Sequence, residues 1–339
     1  MANYSRLDVL NQVVDAGLVP VFYNADIEVA KKVMKACLAG GSRLLEFTNR
    51  GDFAPEVFKE LSQFCRKEAP QVILGVGSIV DEPTAALYIA YGANFVVGSI
   101  LNDAVARVCN RRKIPYMPGC GSASEISHAE ELGMEIVKVF PGDSVGGPGF
   151  IKSILGPTPW TRVMVTGGVE TTHESISAWF KGGATAVGVG SNLIKKEFIQ
   201  TENYDGIAAK TSQILSWIQE ARGVSPFLGI EHVGLYPNSG QNGKILSDWY
   251  SQLFGFKPAE GNTSIFLAGN GNGRIEVMKE GSSERSHVAI SVSDFETAMS
   301  LLQAKGIELE EPKIKPETKA VFLKQTDPAG NRVHLLWRR

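Results

Sequence analysis

Cysteine is scarce in this chain of 339 residues and follows no functional pattern. The four cysteines are far apart, and none belongs to a Cys-x-x-Cys pair: Cys37, Cys65, Cys109 and Cys120. This spacing excludes the small, disulfide-rich class of secreted proteins, in which cysteines are dense. It is typical of a protein that stays in the reducing cytoplasm, which is the location we expect.

Long apolar segments and a strong net charge are also missing. No apolar run approaches the roughly 18 residues that cross a bilayer. The N-terminal residues lack the basic start and apolar stretch of a signal peptide. The formal net charge is only −2, which provides no electrostatic surface for nucleic acid or an anionic membrane. We therefore expect neither of these as a partner.

The N-terminal part of the chain alternates between short apolar runs and segments with helical periodicity. The runs lie at Val19–Phe22, Leu44–Thr48, Val72–Ser78, Phe95–Ser99, Tyr116–Gly119, Ile136–Phe140, Val163–Gly167 and Ala186–Ser191. Their starts recur roughly every 20 to 28 positions, the length of one βα unit in a parallel sheet. Eight such units predict an α/β fold, a closed (β/α)8 TIM barrel. A doubly wound sheet is disfavoured because no GxGxxG motif follows the first run.

A chain of this length favours two domains, and the pattern changes after residue 222. We predict a barrel domain at 1–222, a linker at 223–228 and a smaller α+β domain at 229–339. The second domain contains an internal repeat, in which His232–Leu235 returns as His287–Ile290. Each copy reads as a strand, a helix and three more strands. The second domain is therefore predicted to be a pair of βαβββ modules.

Two charged residues interrupt apolar runs of the predicted barrel. Lys138 lies within Ile136–Phe140, and Glu46 lies within Leu44–Thr48. A buried lysine with a lowered pKa can attack a ketone as a neutral amine, and a nearby carboxylate can transfer protons. The alternatives are a lysine that extends its amine to water and a glutamate in a structural ion pair.

Glycines follow the last two predicted strands of the barrel. They form the clusters Thr166-Gly167-Gly168 and Gly188-Val189-Gly190-Ser191. Barrels often bind phosphate after strands seven and eight, through backbone N–H groups. Tight βα turns would also require glycine, so each cluster alone has two interpretations.

These residues belong to a set of motifs that extends from Val19 to Leu193. The motifs are Gly40-Gly41, Glu46–Arg50, Gly75–Ile79, Pro118-Gly119, Ser124–Ile126, Val137–Pro141, Gly146-Gly147 and Thr166–Val169. In their order and spacing the chain resembles the 2-keto-3-deoxy-6-phosphogluconate aldolases, including the 4-hydroxy-2-oxoglutarate aldolases. Some positions differ: Ser78 stands where threonine is usual, and Val165 replaces a proline. Several of the differing positions line the expected mouth of the pocket, so the candidate substrates include the gluconate and galactonate forms and unphosphorylated 4-hydroxy-2-oxoglutarate.

The resemblance implies a class I aldolase, a lyase that cleaves a keto acid into pyruvate and an aldehyde. It implies that Lys138 forms the Schiff base and that Glu46 is the acid and base. Arg50, Ser78 and Thr166 would hold the substrate carboxylate, and Gly167, Gly168, Gly190 and Ser191 would hold the phosphate. It also implies a homotrimer that needs no cofactor for the aldolase reaction.

The second domain resembles the vicinal oxygen chelate fold of glyoxalase I. The motifs are His232-Val233-Gly234, Tyr250–Phe256, His287–Val292 and Asp327–Asn331. The repeat places four polar residues at equivalent strand positions: His232, His287, Glu276 and His334. In that fold these positions supply metal ligands, so a divalent metal site is one expectation. A metal-free binding or assembly role is the other.

One further class of function stays open for the whole chain. A phosphosugar isomerase or epimerase can use a similar barrel, with the second domain as a non-catalytic module. Such an enzyme would not need a lysine on a strand followed by Phe140-Pro141. Lys138 therefore favours the aldolase.

Overall fold

The structure is a computed structural model that describes residues 2–237, 242–269, 273–281, 285–328 and 330–338. It divides into two compact units, Met1–Gly223 and Val224–Arg339. Met1, Ala329 and Arg339, which belong to the predicted domains and motifs, lie outside the described residues. None of the described helices is both long and apolar enough to cross a bilayer.

The first unit is built on a parallel sheet of nine short strands. They are β1 Leu18–Phe22, β2 Leu44–Thr48, β3 Ile73–Ile79, β4 Val96–Gly98, β5 Tyr116–Met117, β6 Gly119–Cys120, β7 Val137–Val139, β8 Val163–Thr166 and β9 Ala186–Val189. The sheet order is β5-β4-β3-β2-β1-β9-β8-β7-β6. Its two outer members, β5 and β6, are separated in sequence by Pro118 alone. The sheet therefore returns to its own starting point and forms the predicted barrel.

The fifth predicted strand differs from the prediction in one respect. The run Tyr116–Gly119 is divided into β5 and β6 at Pro118. Proline has no backbone N–H and cannot donate to a strand ladder. Tyr116 and Met117 pair with β4, whereas Gly119 and Cys120 pair with β7.

Helices alternate with the barrel strands. They are α1 Arg6–Ala16, α2 Ile27–Ala39, α3 Ala54–Glu68, α4 Glu82–Ala90, α5 Asp103–Arg112, α6 Ala123–Glu131, α7 Gly147–Leu155, α8 His173–Lys181, α9 Lys196–Gln200 and α10 Tyr204–Ala221. Several begin at a polar cap, such as Asp26, whose carboxylate accepts from the N–H groups of Glu28 and Val29. Such caps satisfy donors that have no partner in the first helical turn.

The barrel has a closed end and an open end. Helix α1 packs Val9, Leu10 and Val13 against residues from the beginnings of the strands, including Val19 and Leu44. This apolar cluster fills the end at which the strands begin. The carboxyl ends of the strands are thus left for a site, as in other TIM barrels.

Within its described residues, the second unit is an eight-stranded mixed sheet with two helices. Its first module is β10 Phe227–Leu235, α11 Gly243–Phe254, β11 Lys257–Glu260, β12 Ser264–Ala268 and β13 Arg274–Met278. Its second is β14 His287–Val292, α12 Phe295–Ala304, β15 Lys313–Lys315, β16 Thr318–Phe322 and β17 Arg332–Arg338. The sheet order is β11-β12-β13-β10-β14-β17-β16-β15. The predicted pair of βαβββ modules is confirmed.

The segment predicted as a linker is partly structured. Strand β10 begins at Phe227, inside 223–228, and Phe227 is in register with Val292 of β14. Because β10 pairs antiparallel with β14 of the second module, its first residues belong to the sheet and not to a linker. Pro226, which precedes Phe227, marks the end of the loop.

Candidate functional site

The open end of the barrel contains a cavity of about 780 Å³. It is bounded by residues that follow several different strands, as expected where βα loops form a site. Six of the predicted site residues line it: Arg50, Thr166, Gly167, Gly168, Gly190 and Ser191. Thr48, from the strand that carries Glu46, and Phe140 also line the cavity.

Lys138 lies in the middle of β7 and is only 5% exposed. Its Nζ atom is 4.7 Å from the centre of the Phe140 ring, which itself lines the cavity. Burial lowers the pKa of Lys138 from its ordinary value, and the Arg50 guanidinium lowers it further, while Glu46 opposes both. Removal from water disfavours the ammonium form. The site therefore favours the neutral amine form of Lys138, which is the nucleophilic form.

Glu46 lies in β2 and is 1% exposed. Burial raises the pKa of its carboxyl group, although Lys138 and Arg50 act in the opposite direction. Its Oε2 atom is buried and has no hydrogen-bond partner among the described residues. An unpartnered buried oxygen is costly and calls for an explanation, for which a ligand or water is the usual one.

Gly77 provides the space that the Glu46 side chain occupies. A Cβ atom at this position of β3 would lie 1.8 Å from Glu46 Oε1. No side chain larger than hydrogen fits there unless the carboxylate moves. The carboxylate position therefore depends on a glycine in the neighbouring strand.

Arg50, Ser78 and Thr166 provide polar groups at or just after the carboxyl ends of β2, β3 and β8. Arg50 Nε donates to Ser78 Oγ over 3.2 Å. Ser78 has a left-handed backbone with φ of 61°, which is uncommon outside glycine. Thr166 ends β8, and its hydroxyl is buried without a partner among the described residues. A guanidinium and hydroxyl groups are suited to a carboxylate.

The two glycine clusters lie on one side of the same cavity. Gly167 and Gly168 have φ of 91° and 70°, so the turn after β8 requires glycine. Within the part of the chain that the structure describes, the N–H groups of Gly167, Gly168, Ser191 and Asn192 donate no hydrogen bond. Free N–H groups at the mouth of a barrel are suited to an anion.

The cavity also contains residues that the sequence analysis did not identify. Tyr23, Asn24, Lys196 and Gln200 line it. Tyr23 and Asn24 follow β1, and their position after a strand was a usable signal. Lys196 lies beyond the last predicted strand, where no periodic pattern marks it.

The predicted metal ligands of the second unit come together on one face of its sheet. His232 Nε2 lies 3.2 Å from His287 Nε2 and 3.1 Å from Glu276 Oε2. The rings of His232 and His334 are 5.3 Å apart, and one nitrogen from each of the three histidines falls within 4.8 Å of the others. Strands β10, β13, β14 and β17 thus contribute one residue each.

The charge state of the cluster differs from one histidine to the next. Burial would lower the pKa of His232, but hydrogen bonds to Glu231 and Glu276 outweigh it and raise the pKa. Burial lowers the pKa of His287, and burial together with His287 and His232 lowers that of His334 to about 3. His334 is therefore neutral at pH 7.

The ring nitrogens of His334 are both buried and have no partner among the described residues. Its ring stacks on Phe322, with centroids 4.5 Å apart. A neutral imidazole with an unshared lone pair is the form that binds metal ions. Three histidines and a carboxylate are also a donor set that divalent transition metals accept, so the residues present fit such an ion.

Charged residues surround this cluster, and the sequence alone did not predict them as part of it. The Glu231 carboxylate contacts His232 Nδ1 and the Arg274 guanidinium, and Arg338 Nε lies 3.2 Å from Glu231 Oε1. Burial would raise the pKa of Glu231, but its hydrogen bonds and charge interactions with His232 and Arg274 outweigh burial and lower the pKa to about 2. A carboxylate on the second ring nitrogen is a frequent arrangement for metal-binding histidines.

The barrel matches a known protein family. Residues 9–210 match the family described as KDPG and KHG aldolase. The chain belongs to this family. The predicted aldolase resemblance and the (β/α)8 fold are thereby confirmed.

Relatives of this aldolase match the barrel over nearly their full length. The 2-dehydro-3-deoxy-phosphogluconate aldolase of Dickeya dadantii is 31% identical over 199 residues, which are 58% of this chain and 91% of the relative. The KHG/KDPG aldolase of Escherichia coli is 28% identical over 190 residues, 56% of this chain and 86% of the relative. Members of the family are class I lyases.

The solved structure of one relative contains a covalent intermediate. The KDPG aldolase of Legionella pneumophila, whose structure holds pyruvate as a covalent carbinolamine intermediate, is 25% identical with a TM-score of 0.55. The similarity covers 60% of this aldolase and 97% of that chain.

The second unit contains a glyoxalase-like domain. Residues 230–335 match the family described as the Glyoxalase/Bleomycin resistance protein/Dioxygenase superfamily. The predicted fusion of an aldolase barrel with a vicinal oxygen chelate domain is confirmed. This superfamily hosts many chemistries, so the match gives the fold and not the activity.

Proposed function

We propose that the barrel cleaves 2-keto-3-deoxy-6-phosphogluconate into pyruvate and glyceraldehyde 3-phosphate through a Schiff base on Lys138. The supporting observation is a buried lysine of lowered pKa in electrostatic contact with the buried Glu46 carboxyl group and with Arg50, which lines the cavity. 4-Hydroxy-2-oxoglutarate is a second candidate substrate, since it shares the keto acid and the hydroxyl that the cleavage requires.

The reaction follows from the chemistry of a neutral amine beside a carboxyl group. Lys138 Nζ adds to the C2 carbonyl, and the carbinolamine loses water to give an iminium ion. Glu46 as carboxylate takes the proton of the C4 hydroxyl while the C3–C4 bond breaks and its electrons enter the iminium. The aldehyde leaves, Glu46 returns the proton to C3 of the enamine, and water releases pyruvate from Lys138.

The other polar residues hold the two ends of the substrate. Arg50, Ser78 and Thr166 bind the pyruvyl carboxylate, for which the Arg50–Ser78 hydrogen bond and the unpartnered Thr166 hydroxyl are the support. Gly167, Gly168, Gly190 and Ser191 bind the distal phosphate at the cavity side that has free N–H groups. The aldolase reaction needs no cofactor because the lysine supplies the electron sink.

An aldol-cleavage panel tests this function. Purified full-length protein is given the gluconate and galactonate forms of the phosphorylated keto acid and 4-hydroxy-2-oxoglutarate, and pyruvate release is followed. Lys138→Ala should lose at least roughly 10³-fold in kcat because the covalent route is absent. Release of pyruvate from none of the substrates by the unaltered protein would contradict the proposal.

A divalent metal centre is the second candidate, and the unpartnered, neutral His334 favours it. His232, His287, His334 and Glu276 would hold the ion. A bound divalent cation there would polarise a substrate that chelates it through two oxygens. A metal-free binding or assembly role is the alternative.

Elemental analysis tests the metal centre. Protein prepared without chelators and without metal-affinity purification should contain one Zn, Ni or Fe per chain, and His232→Ala or His287→Ala should abolish it. His173→Ala, which changes an exposed histidine of the barrel, serves as the control. If the metal content is substoichiometric and neither substitution in the cluster changes it, the second unit has no metal centre and a metal-free binding role follows.

The remaining assignments rest on resemblance or on the sequence pattern. We propose that the protein is cytoplasmic and forms a homotrimer. Light scattering of the purified protein tests the trimer. The boundaries 1–222, 223–228 and 229–339 are also a proposal; limited proteolysis should cut between the two units near residues 223–226 and leave two resistant fragments.

A further inference from the structure

The cations at the aldolase cavity lie in two different segments of the chain. Arg50 follows β2, and Lys196 begins α9 after β9. Among the described residues that line the cavity, these two are the charged ones, and no carboxylate is included. A cavity with two separate positive charges fits a ligand that carries an anion at each end.

Arg50 and Lys196 differ in how they are held. Arg50 is fixed through its hydrogen bond to Ser78. Lys196 is exposed, and no ion pair involving it occurs in the part of the chain that the structure describes. An unpaired lysine at a cavity is available to an incoming anion, and its flexible stem lets the ammonium adjust to it.

Asp143 places a carboxylate beside the glycine side of the cavity. A Cβ atom on Gly168 would lie 2.2 Å from Asp143 Cβ and 3.1 Å from its Oδ2. This carboxylate is therefore adjacent to the turn whose N–H groups are free. Neutral N–H groups beside a negative charge would bind a phosphate dianion weakly without a compensating positive charge.

We propose that Lys196 is a specificity residue that binds the distal phosphate of the substrate and selects phosphorylated keto acids. The inference rests on the proposed aldolase function. Lys196 touches the substrate far from the bond that breaks, so it contributes to recognition and leaves imine formation at Lys138 to the other residues. Lys195, its exposed neighbour, is not among the lining residues and provides a matched control.

The test compares Lys196→Gln with Lys195→Gln on three substrates. One has a distal phosphate, one a distal carboxylate (4-hydroxy-2-oxoglutarate), and one an uncharged distal hydroxyl (2-keto-3-deoxygluconate). We expect Lys196→Gln to lower kcat/KM for the phosphorylated substrate by about tenfold or more, the effect of one lost charge-assisted hydrogen bond. The uncharged substrate and borohydride trapping of pyruvate should be unchanged, as should all values for Lys195→Gln.

Each contrary outcome has a separate meaning. An equal change for all three substrates, or no change, would overturn the role of Lys196 while the aldolase function stands. A selective loss for the carboxylate substrate would overturn the phosphate assignment and identify a distal carboxylate as the ligand. If the unaltered protein neither cleaves a substrate nor traps pyruvate, the proposed aldolase function is wrong, and so is the role of Lys196.

Discussion

Glu46 and Lys138 affect each other because both are withheld from water. Burial favours the neutral form of each, and the attraction between their charged forms partly opposes it. The raised pKa of Glu46 and the lowered pKa of Lys138 bring the two groups closer in acidity, which favours the proton transfers of acid and base catalysis. Their positions were predictable, since a charge within an apolar strand is conspicuous in a sequence. Their pKa shifts were not, because these depend on packing by residues distant in sequence.

Glu46→Gln separates catalysis from structure at this position. The amide keeps the shape but cannot titrate, so we expect kcat to fall on the order of 10² to 10⁴. The melting temperature should stay nearly constant or rise, because a buried carboxyl with a raised pKa is destabilising once it ionises. Glu170→Gln, an exposed change after β8, is the control. Loss of stability with full specific activity in the folded fraction would indicate a structural glutamate.

At the scale of elements, the barrel strands were predictable because their runs are apolar and regularly spaced. The division at Pro118 could also be read, since proline interrupts a ladder. The walls of the cavity were harder to predict. Lys196 is on α9, a short helix with no amphipathic pattern, and only the path of the chain after β9 brings it to the cavity.

Gly77 on β3 provides a test of how one strand positions the catalytic group of another. Gly77→Ala would place a Cβ atom 1.8 Å from Glu46 Oε1, so the carboxylate must move. We expect kcat to fall at least roughly 10²-fold in protein that retains its circular dichroism spectrum, since small displacements of catalytic groups have effects of this size. Gly149→Ala is the matched control, because a Cβ there meets nothing within 4 Å. Equal activity of the two variants would show that the Glu46 position is not critical.

At the scale of the whole molecule, two chemically different sites lie in separate units. The barrel site uses a lysine and a carboxyl group, and the sheet of the second unit collects three histidines and Glu276. The duplication made this cluster predictable, because equivalent strands of the two modules are paired around β10 and β14. The surrounding Glu231 and Arg274 were not predicted, since only the pairing of β10 with β13 brings the Glu231 carboxylate to the Arg274 guanidinium.

Independence of the two sites is expected because each is complete within one unit. His232→Ala should leave pyruvate release within about twofold of the unaltered enzyme, since sites without shared partners act additively. Lys138→Ala should leave the metal content of the protein unchanged. A large loss of pyruvate release in His232→Ala would show that the two units depend on each other.

Borohydride trapping is the most direct test of a Schiff base on Lys138. The full-length protein is incubated with pyruvate and sodium borohydride across a pH series, and the modified residue is identified by peptide mass spectrometry. We expect a reduced pyruvyl adduct on Lys138. Its formation should decline as the pH falls through the lowered pKa of this lysine, because the ammonium cannot attack the ketone. An adduct on another lysine, or no adduct at any pH, would show that Lys138 is not the Schiff-base residue.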